Sequence, residues 1–471
     1  MRIKLKQAGL ILLGLVAGIL ISLNFSASAQ KEEVATALPV EELRSFADVF
    51  NAIKQGYVEP IDDKKLITHA ISGMLSNLDP HSAYLDADSF KDLQVSTQGE
   101  FGGLGIEVGM EDGFVKVISP IEDTPAFKAG IKTGDLIIKL DETPVKGMTL
   151  NDAVKRMRGK PKTSIVLTII RKGETKPLIL TIVREQIKVQ SVKSKLLEPG
   201  FAYLRVTQFQ EETAADVARH LDKLFKESKE PLRGLVLDLR NDPGGLLHGA
   251  VGVSATFLPA KTLVVSTDGR TPDAKHKYYA SAEDYLRGRH DDFLKNLPPA
   301  IKTIPLVVLV NGGSASASEI VAGALQDHKR ALVLGTQTFG KGSVQTILPL
   351  SNNTAIKLTT ARYYTPSGNS IQAKGIMPDI IVEESPNGGG SHERLREADL
   401  ERHLVNEKEK AKEAAPLPHL KNGKSKGKDE KNKELPDEEA RPPIFEFASK
   451  NDYQLNQAVG LLKAWQIIKQ R

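Results

Sequence analysis

The chain has 471 residues, no cysteine and a formal net charge of +5. This length is enough for two or three domains, each with its own hydrophobic core. The lack of cysteine excludes disulfides, thiolate nucleophiles and cysteine-based metal sites. So weak a positive charge does not by itself indicate a nucleic-acid partner.

The first residues have the three-part layout of a secretory signal peptide. A basic start, "MRIKLK", precedes the apolar run "AGLILLGLVAGILISL", and Ala27, Ser28 and Ala29 then form an A-x-A cleavage site. The apolar run is shorter than the ~20 residues that a membrane-spanning helix needs. We therefore expect cleavage after Ala29 and export to the periplasm. An uncleaved membrane anchor is the alternative, and membrane association stays open.

Two regions of different character follow the signal peptide. "EELRSFADVFNAIKQGYV" and "DKKLITHAISGMLSNL" repeat apolar residues at helical spacing, and the turn "DPHSAYLD" ends them. We expect His81 in that turn to be structural. From residue 99 to about residue 187, short strands surround glycine turns and one helical stretch, which predicts a small, partly open barrel.

The remainder predicts an α/β domain, a polar segment and a final helix. Apolar strands alternate with helices from about residue 188 to residue 382, which is typical of a buried sheet. The segment 383–443 mixes lysines with acids and has few apolar residues. This composition predicts a solvated, disordered linker, with a basic interaction tail as the alternative. The last helix carries an apolar stripe: Leu455, Ala458, Leu462 and Trp465.

The stretch "GTQTFGKG" matches the phosphate-binding loop motif G-x-x-x-x-G-K-[ST] at all but its last position. Gly335, Gly340 and Lys341 have the required spacing, but Gly342 stands where a serine or threonine would bind Mg²⁺. Such a loop must also open a helix, whereas "GSVQTILPL" reads as a strand and turn. The pattern therefore argues against nucleotide binding and leaves Lys341 available for other chemistry.

A second candidate group lies upstream, in "VNGGSASASEI". Ser316 follows a glycine turn and starts an S-x-x-E capping box, so its simplest role is to cap a helix. The same position suits a nucleophile, because the helix N-terminus can stabilise a developing oxyanion. His328 is twelve residues further along the predicted helix, or ~18 Å away, and cannot act as its base. Lys341 is the better candidate, provided that burial lowers its pKa.

These residues, with several further motifs, resemble the carboxy-terminal processing peptidases, also called tail-specific proteases. The resemblance runs from about residue 38 to about residue 382. It rests on the following motifs in this order: "LDPHSAYL" (78–85), "FGGLGIEV" (101–108), "LRGLVLDLRNDPGG" (232–245), "NGGSASASEI" (311–320), "TFGKGSVQ" (338–345) and "YYTPSGNSIQAKGIMPD" (363–379).

The resemblance implies an α/β protease core, a mixed sheet with helices, into which a small β-rich PDZ domain is inserted, with helical N- and C-terminal elements. The expected regions are a signal peptide (1–29), an N-terminal helical region (38–96), the PDZ domain (97–187), the peptidase core (188–382), the charged linker (383–443) and the C-terminal helix (444–471). It also implies that Ser316 is the nucleophile, Lys341 its general base and Gln345 the partner that orients the lysine.

The oxyanion hole follows partly from the helix and partly from the resemblance. The N–H after the nucleophile belongs to Ala317. A second donor is expected from the "DPGG" turn, with Gly244 preferred and Gly245 as the alternative. The family form has an asparagine before this proline, whereas this chain has Asp242. The difference weakens any role for that side chain but leaves the backbone donors unaffected.

The PDZ prediction has its own residues. PDZ domains add a peptide as an extra strand, and the backbone N–H groups of a glycine-containing loop capture its C-terminal carboxylate. "GGLGI" resembles this loop; an ordinary glycine turn is the alternative. Val154 and Met157 would face the loop from the following helix. The expected binding residues are Gly103, Leu104, Gly105 and Ile106.

The sequence thus predicts an exported serine endopeptidase that docks protein C-termini and processes or degrades envelope proteins. Expected partners are proteins or peptides with apolar C-termini, further copies of the chain, and an adaptor or activating lipoprotein. Neither cofactor, metal, nucleotide nor nucleic acid is expected. The second interpretation is a PDZ adaptor with an inactive protease domain, and the intact Ser316, Lys341 and Gln345 count against it.

Overall fold

The computed structural model describes residues 39–121, 123–386, 395–406 and 447–469. The predicted signal peptide with its cleavage site after Ala29, and most of the predicted charged linker, lie outside the described residues. The chain divides into two compact units, Met1–Ile71 and Ser72–Arg471. Within the described ranges, no helix is long and apolar enough to cross a membrane.

The described part of the first unit is helical, as predicted. It contains α1 (Val40–Gly56) and the start of α2 (Asp63–Ser76). The apolar residues of α1 do not form a core. Leu43, Phe46 and Val49 are 50%, 45% and 59% exposed, so α1 presents an apolar stripe on its surface.

The second unit contains the end of α2, then β1 (Ala83–Leu85) and α3 (Ala87–Gln98). The inserted β-rich domain follows. Its strands form an antiparallel sheet in the order β3-β4-β5-β7-β8, with β6 on β5 and with β2 paired to β9 beside it. Because β3 lies at the edge, the sheet can accept a further strand. The elements are β2 (Glu100–Gly103), β3 (Ile106–Glu111), β4 (Phe114–Pro120), α4 (Pro125–Lys128), β5 (Leu136–Leu140), β6 (Thr143–Pro144), α5 (Leu150–Met157), β7 (Ser164–Ile170), β8 (Leu178–Val183) and β9 (Glu185–Lys188).

The peptidase core is built on a six-stranded sheet in the order β10-β11-β12-β15-β16-β19. Only β10 runs antiparallel to its neighbour. Every residue of β11, β12 and β15 is buried, as expected for parallel strands covered on both faces. The sheet strands are β10 (Val192–Glu198), β11 (Phe201–Val206), β12 (Gly234–Asp238), β15 (Leu306–Val310), β16 (Leu332–Gly335) and β19 (Ile380–Ile381).

Helices cover this sheet on both sides, and a second sheet flanks it. The helices α6, α7 and α9 share one hydrophobic cluster with one strand face, whereas α10 packs on the other face. The second sheet has the order β1-β18-β13-β14, with β17 on β18. These elements are α6 (Thr213–Glu227), α7 (Leu247–Phe257), β13 (Leu263–Gly269), β14 (His276–Tyr279), α8 (Ala282–Leu286), α9 (Ala317–Asp327), β17 (Ser343–Pro349), β18 (Ala355–Tyr364) and α10 (Tyr453–Lys469).

The C-terminal helix matches its predicted stripe in part. Leu455, Ala458 and Leu462 are buried against the sheet, whereas Trp465 is 51% exposed. The stripe therefore contributes three residues to the core and leaves the tryptophan on the surface.

The predicted disorder of segment 383–443 is wrong for the part that the structure describes. In residues 395–406, Glu397 and Asn406 are buried. Asn406 donates to the Gln372 carbonyl at 2.8 Å, and the Glu397 N–H donates to the Phe339 carbonyl at 3.1 Å. These polar side chains find partners in the core, which a composition argument alone could not show.

Candidate active site

Ser316 occupies a constrained turn between β15 and α9. It is 7% exposed and has φ 55° and ψ −111°, backbone angles that a residue other than glycine adopts only when its surroundings impose them. Its N–H donates to Glu319 Oε2 at 2.8 Å. The predicted capping role is thus present in the backbone, and the turn places a hydroxyl at the N-terminus of a helix.

The Glu319 carboxylate connects the turn at Ser316 to residues 336–342, the loop that carries Lys341, which we call the lysine loop. Oε2 also accepts the Lys341 N–H at 2.9 Å, while Oε1 accepts the Gly340 N–H at 2.7 Å and the Thr338 hydroxyl at 2.5 Å. Burial raises the pKa of Glu319 to about 7, against the opposing effect of these hydrogen bonds. Because one oxygen binds both Ser316 and Lys341, the backbones of these two residues are held close together. Sequence reasoning identified Glu319 only as a cap.

Lys341 has a side-chain amine whose pKa is lowered by its surroundings. Burial lowers the pKa of its amine, and nearby Lys357 lowers it further. The amine forms no hydrogen bond or ion pair with any residue that the structure describes. A lysine of this kind reaches its neutral, proton-accepting form at a lower pH than a free lysine.

Gln345 is near this loop but has other partners. Its amide nitrogen donates to Ser343 Oγ at 3.0 Å and to Thr359 Oγ1 at 3.3 Å. No hydrogen bond joins it to Lys341, although both residues are described. Its amide oxygen accepts none from the described chain, so the orienting role of Gln345 stays a prediction.

Tyr363 on β18 is a neighbour of the serine that the motif analysis did not single out. It is 5% exposed, and burial raises the pKa of its hydroxyl, while a hydrogen-bonding contact with the Ser316 side chain opposes the rise. Ser316 Oγ and Lys341 Nζ, both described, form no hydrogen bond with each other. Unliganded sites often show such loose geometry, which tightens when substrate binds.

The "DPGG" turn lies directly against the start of α9. A Cβ placed on Gly244 would lie 2.6 Å from the Ala315 carbonyl oxygen and 2.8 Å from the Ala317 nitrogen, so only glycine fits there. The Gly244 N–H donates to Asp242 Oδ1 at 2.8 Å and is therefore already used. The N–H groups of Ala317 and Gly245 have no acceptor among the described residues. This arrangement favours Gly245, the alternative, over Gly244 as the second oxyanion donor.

Asp242 contributes a buried carboxyl to the same turn. It is 0% exposed, and burial raises its pKa to about 8. Its Oδ2 is buried without a hydrogen-bond partner among the described residues. The other oxygen, Oδ1, accepts the Gly244 N–H. The side chain thus helps to fix the turn, a role that the sequence analysis did not give it.

His328 is remote from this group, as predicted. It ends α9 at the opposite end from Ser316, and its Nε2 lies 2.7 Å from the Leu263 carbonyl oxygen. In the described ranges, no group of three or more histidine or acidic side chains is placed to hold a metal ion.

The predicted peptide-binding loop and helix meet in the inserted domain. Between the "GGLGI" loop, β3 and α5 lies a cavity of about 90 Å³. Three lining residues were not predicted: Phe101, Val108 and Arg158. The guanidinium carbon of Arg158 lies 4.8 Å from the centre of the Phe101 ring. The Arg158 Nε is buried and has no partner among the described residues. The lining residues are Phe101, Gly103, Leu104, Gly105, Ile106, Val108, Val154, Met157 and Arg158.

Comparison with known proteins identifies the domains of the chain. Residues 200–382 match peptidase family S41, residues 102–182 match the PDZ domain, and residues 21–89 match the N-terminal domain of the activating protease CtpB. The carboxy-terminal-processing protease of Bartonella bacilliformis is 48% identical over 401 residues, which are 84% of this chain and 88% of that protein.

Two further relatives are more distant. The carboxy-terminal processing protease CtpB of Bacillus subtilis is 36% identical over 71% of this chain and 66% of its own length. The solved photosystem II D1 C-terminal processing protease is 30% identical, covers 73% of this chain and 93% of its own, and has a TM-score of 0.41. The chain belongs to the carboxy-terminal processing peptidases, which are serine-type peptidases of family S41 with a PDZ domain.

Proposed function

We propose that the protein is an exported serine endopeptidase that docks protein C-termini in its PDZ domain and cleaves with Ser316 and Lys341. One observation carries the assignment of the pair: a single buried oxygen, Glu319 Oε2, accepts both of their backbone N–H groups. The partly buried amine, which has no hydrogen-bond partner among the described residues, supports the role of the lysine as base.

The reaction follows from these positions. Neutral Lys341 accepts the proton of the Ser316 hydroxyl as the oxygen attacks the substrate carbonyl. The N–H groups of Ala317 and Gly245 stabilise the oxyanion. The lysine then protonates the leaving amine, and water hydrolyses the acyl-enzyme. Gln345 orients the amine through the amide oxygen that no described donor occupies.

Substrate selection is assigned to the groove between β3 and α5. A peptide would extend the sheet along the edge strand β3 and place its apolar last side chain in the cavity. Its carboxylate would bind the loop Gly103–Ile106 and the unpaired Nε of Arg158, since a buried donor without a partner is costly.

The proposal also covers where the protein is located and which proteins it contacts. The signal-peptide pattern supports a periplasmic location with envelope proteins as substrates. The exposed stripe of α1, formed by Leu43, Phe46 and Val49, supports contact with another copy of the chain or with an adaptor or lipoprotein activator.

Mass spectrometry of protein termini tests the proposal. Wild-type protein and Ser316→Ala are each incubated with an envelope-protein extract, and new termini are identified. We expect new termini with the wild type only. If the protein is instead a PDZ adaptor with an inactive protease domain, both samples will show the same termini, while peptides with free C-termini will still bind.

A further inference from the structure

Residues 395–406, which we call the strap, lie beyond the region that matches the peptidase family, yet they contact the lysine loop. The first buried residue of the strap is Glu397, whose side chain is 1% exposed. Its Oε2 lies 2.8 Å from His81 Nε2, and its Oε1 accepts a hydrogen bond from Gln372 Nε2 at 2.8 Å. Both carboxylate oxygens are therefore used inside the protein.

Gln372 and Glu397 are both hydrogen-bonded to the backbone of the lysine loop. Gln372 Oε1 accepts the Gly342 N–H at 3.1 Å, and the Glu397 N–H donates to the Phe339 carbonyl at 3.1 Å. Two residues of the lysine loop are thus hydrogen-bonded to the strap: Phe339, two residues before Lys341, directly, and Gly342, the residue after it, through Gln372.

The packing leaves little freedom in this connection. A Cβ placed on Gly342 would lie 2.2 Å from the backbone nitrogen of Gln372, so the backbones of the lysine loop and of Gln372 are in direct contact. At the other end of the strap, the Asn406 side chain donates a hydrogen bond to the Gln372 carbonyl. Movement of the strap would therefore move Gln372 and the loop with it.

We propose that Glu397 is a positioning residue for the catalytic lysine: its carboxylate and backbone fix the loop that carries Lys341 and tie that loop to His81. The inference rests on the proposed function, because it assumes that Lys341 is the base. It also gives His81, expected from the sequence to be structural, a place in the support of the active site.

The charges around Lys341 predict how the pH dependence of activity changes when Glu397 is replaced. Burial and Lys357 lower the pKa of the lysine, whereas Glu397, Glu319 and Asp79 raise it. Removing the charge of Glu397 should lower this pKa further. The neutral amine would then form at lower pH, and the acid limb of the activity profile would shift to lower pH.

Three variants of the full chain test the proposal, and Lys341→Ala, measured beside them, tests the proposed function. Glu397→Ala removes both contacts, whereas Glu397→Gln can accept from Gln372 and donate to His81, so it removes mainly the charge. Glu401→Gln is the matched control, because Glu401 is exposed on the same strap. kcat and KM are measured on an internally quenched peptide from about pH 6 to about pH 10, with unfolding temperature as the check on folding.

We expect Glu397→Ala to lose roughly tenfold to a hundredfold in kcat with little change in KM, since misplacement of a catalytic group by about 1 Å can cost that much. Glu397→Gln should regain most of kcat at alkaline pH, with its acid limb at lower pH than in the wild type. Wild-type kcat in a folded Glu397→Ala would overturn the proposal. If that variant does not fold, an unmoved acid limb in Glu397→Gln overturns it. Activity in Lys341→Ala would instead refute the proposed function.

Discussion

Replacing Asp242 with asparagine should remove a pH-dependent loss of stability. Burial raises the pKa of this carboxyl from 3.8 to about 8 in the folded protein. The unfolded chain releases the proton near the lower value, so the wild type loses stability as the pH rises from that value towards about 8. Asparagine has no proton to lose and can still accept the Gly244 N–H that Asp242 Oδ1 accepts now.

The expected size follows from the same values. One pKa unit corresponds to about 1.4 kcal/mol, so the wild type should lose up to about 4 kcal/mol relative to Asp242→Asn between about pH 5 and about pH 8. Urea unfolding at both pH values gives the two free energies of unfolding, and Asp273→Asn on the surface is the control. An equal difference between wild type and Asp242→Asn at both pH values would refute a buried, protonated Asp242.

Three further predictions concern separate parts of the molecule. Glu319→Ala should lower the free energy of unfolding by several kcal/mol and abolish turnover, because it leaves three buried donors and one partly buried donor unpaired; calorimetry and peptide cleavage would show this, and an active, equally stable variant would contradict it. A peptide ending in apolar residues should bind the full chain ~10- to 100-fold more tightly than its C-terminal amide, the worth of a charge-assisted hydrogen bond of roughly 1.5–3 kcal/mol; equal affinities by calorimetry would exclude carboxylate capture. Protein from the envelope fraction should begin at Gln30, and an intact Met1 on sequencing would contradict cleavage.

Sequence patterns predicted the parts of the fold that depend on local periodicity. The apolar strands predicted between residues 188 and 382 are present as buried strands, among them β12 and β15, and the short strands around glycine turns form the inserted domain. These patterns follow directly from which faces must be buried. Ser316 and Lys341 were proposed from local patterns as well, a turn before a helix and a loop that only partly matches a phosphate-binding motif, and their catalytic roles stay predictions.

The remaining features depend on contacts between distant segments. The Gly244 N–H donates to Asp242 Oδ1, so it is the Gly245 N–H that stays available for an oxyanion. The spacing of residues in the sequence does not predict this hydrogen bond. Tyr363 reaches the serine only because β18 crosses the site. Glu397 stands in a polar segment whose composition indicates disorder, and only its three-dimensional partners show that it is buried.

The most direct measurement of the central claim is the turnover of one internally quenched peptide by Ser316→Ala, Lys341→Ala, the double variant and His328→Ala, each verified as folded. Because nucleophile and base act as one unit, each single variant should lose as much activity as the double variant. His328→Ala should retain most of the wild-type rate, since His328 lies at the opposite end of α9 from Ser316. Activity retained in Lys341→Ala, together with activity lost in a folded His328→Ala, would contradict the assignment of Ser316 and Lys341 as the catalytic pair.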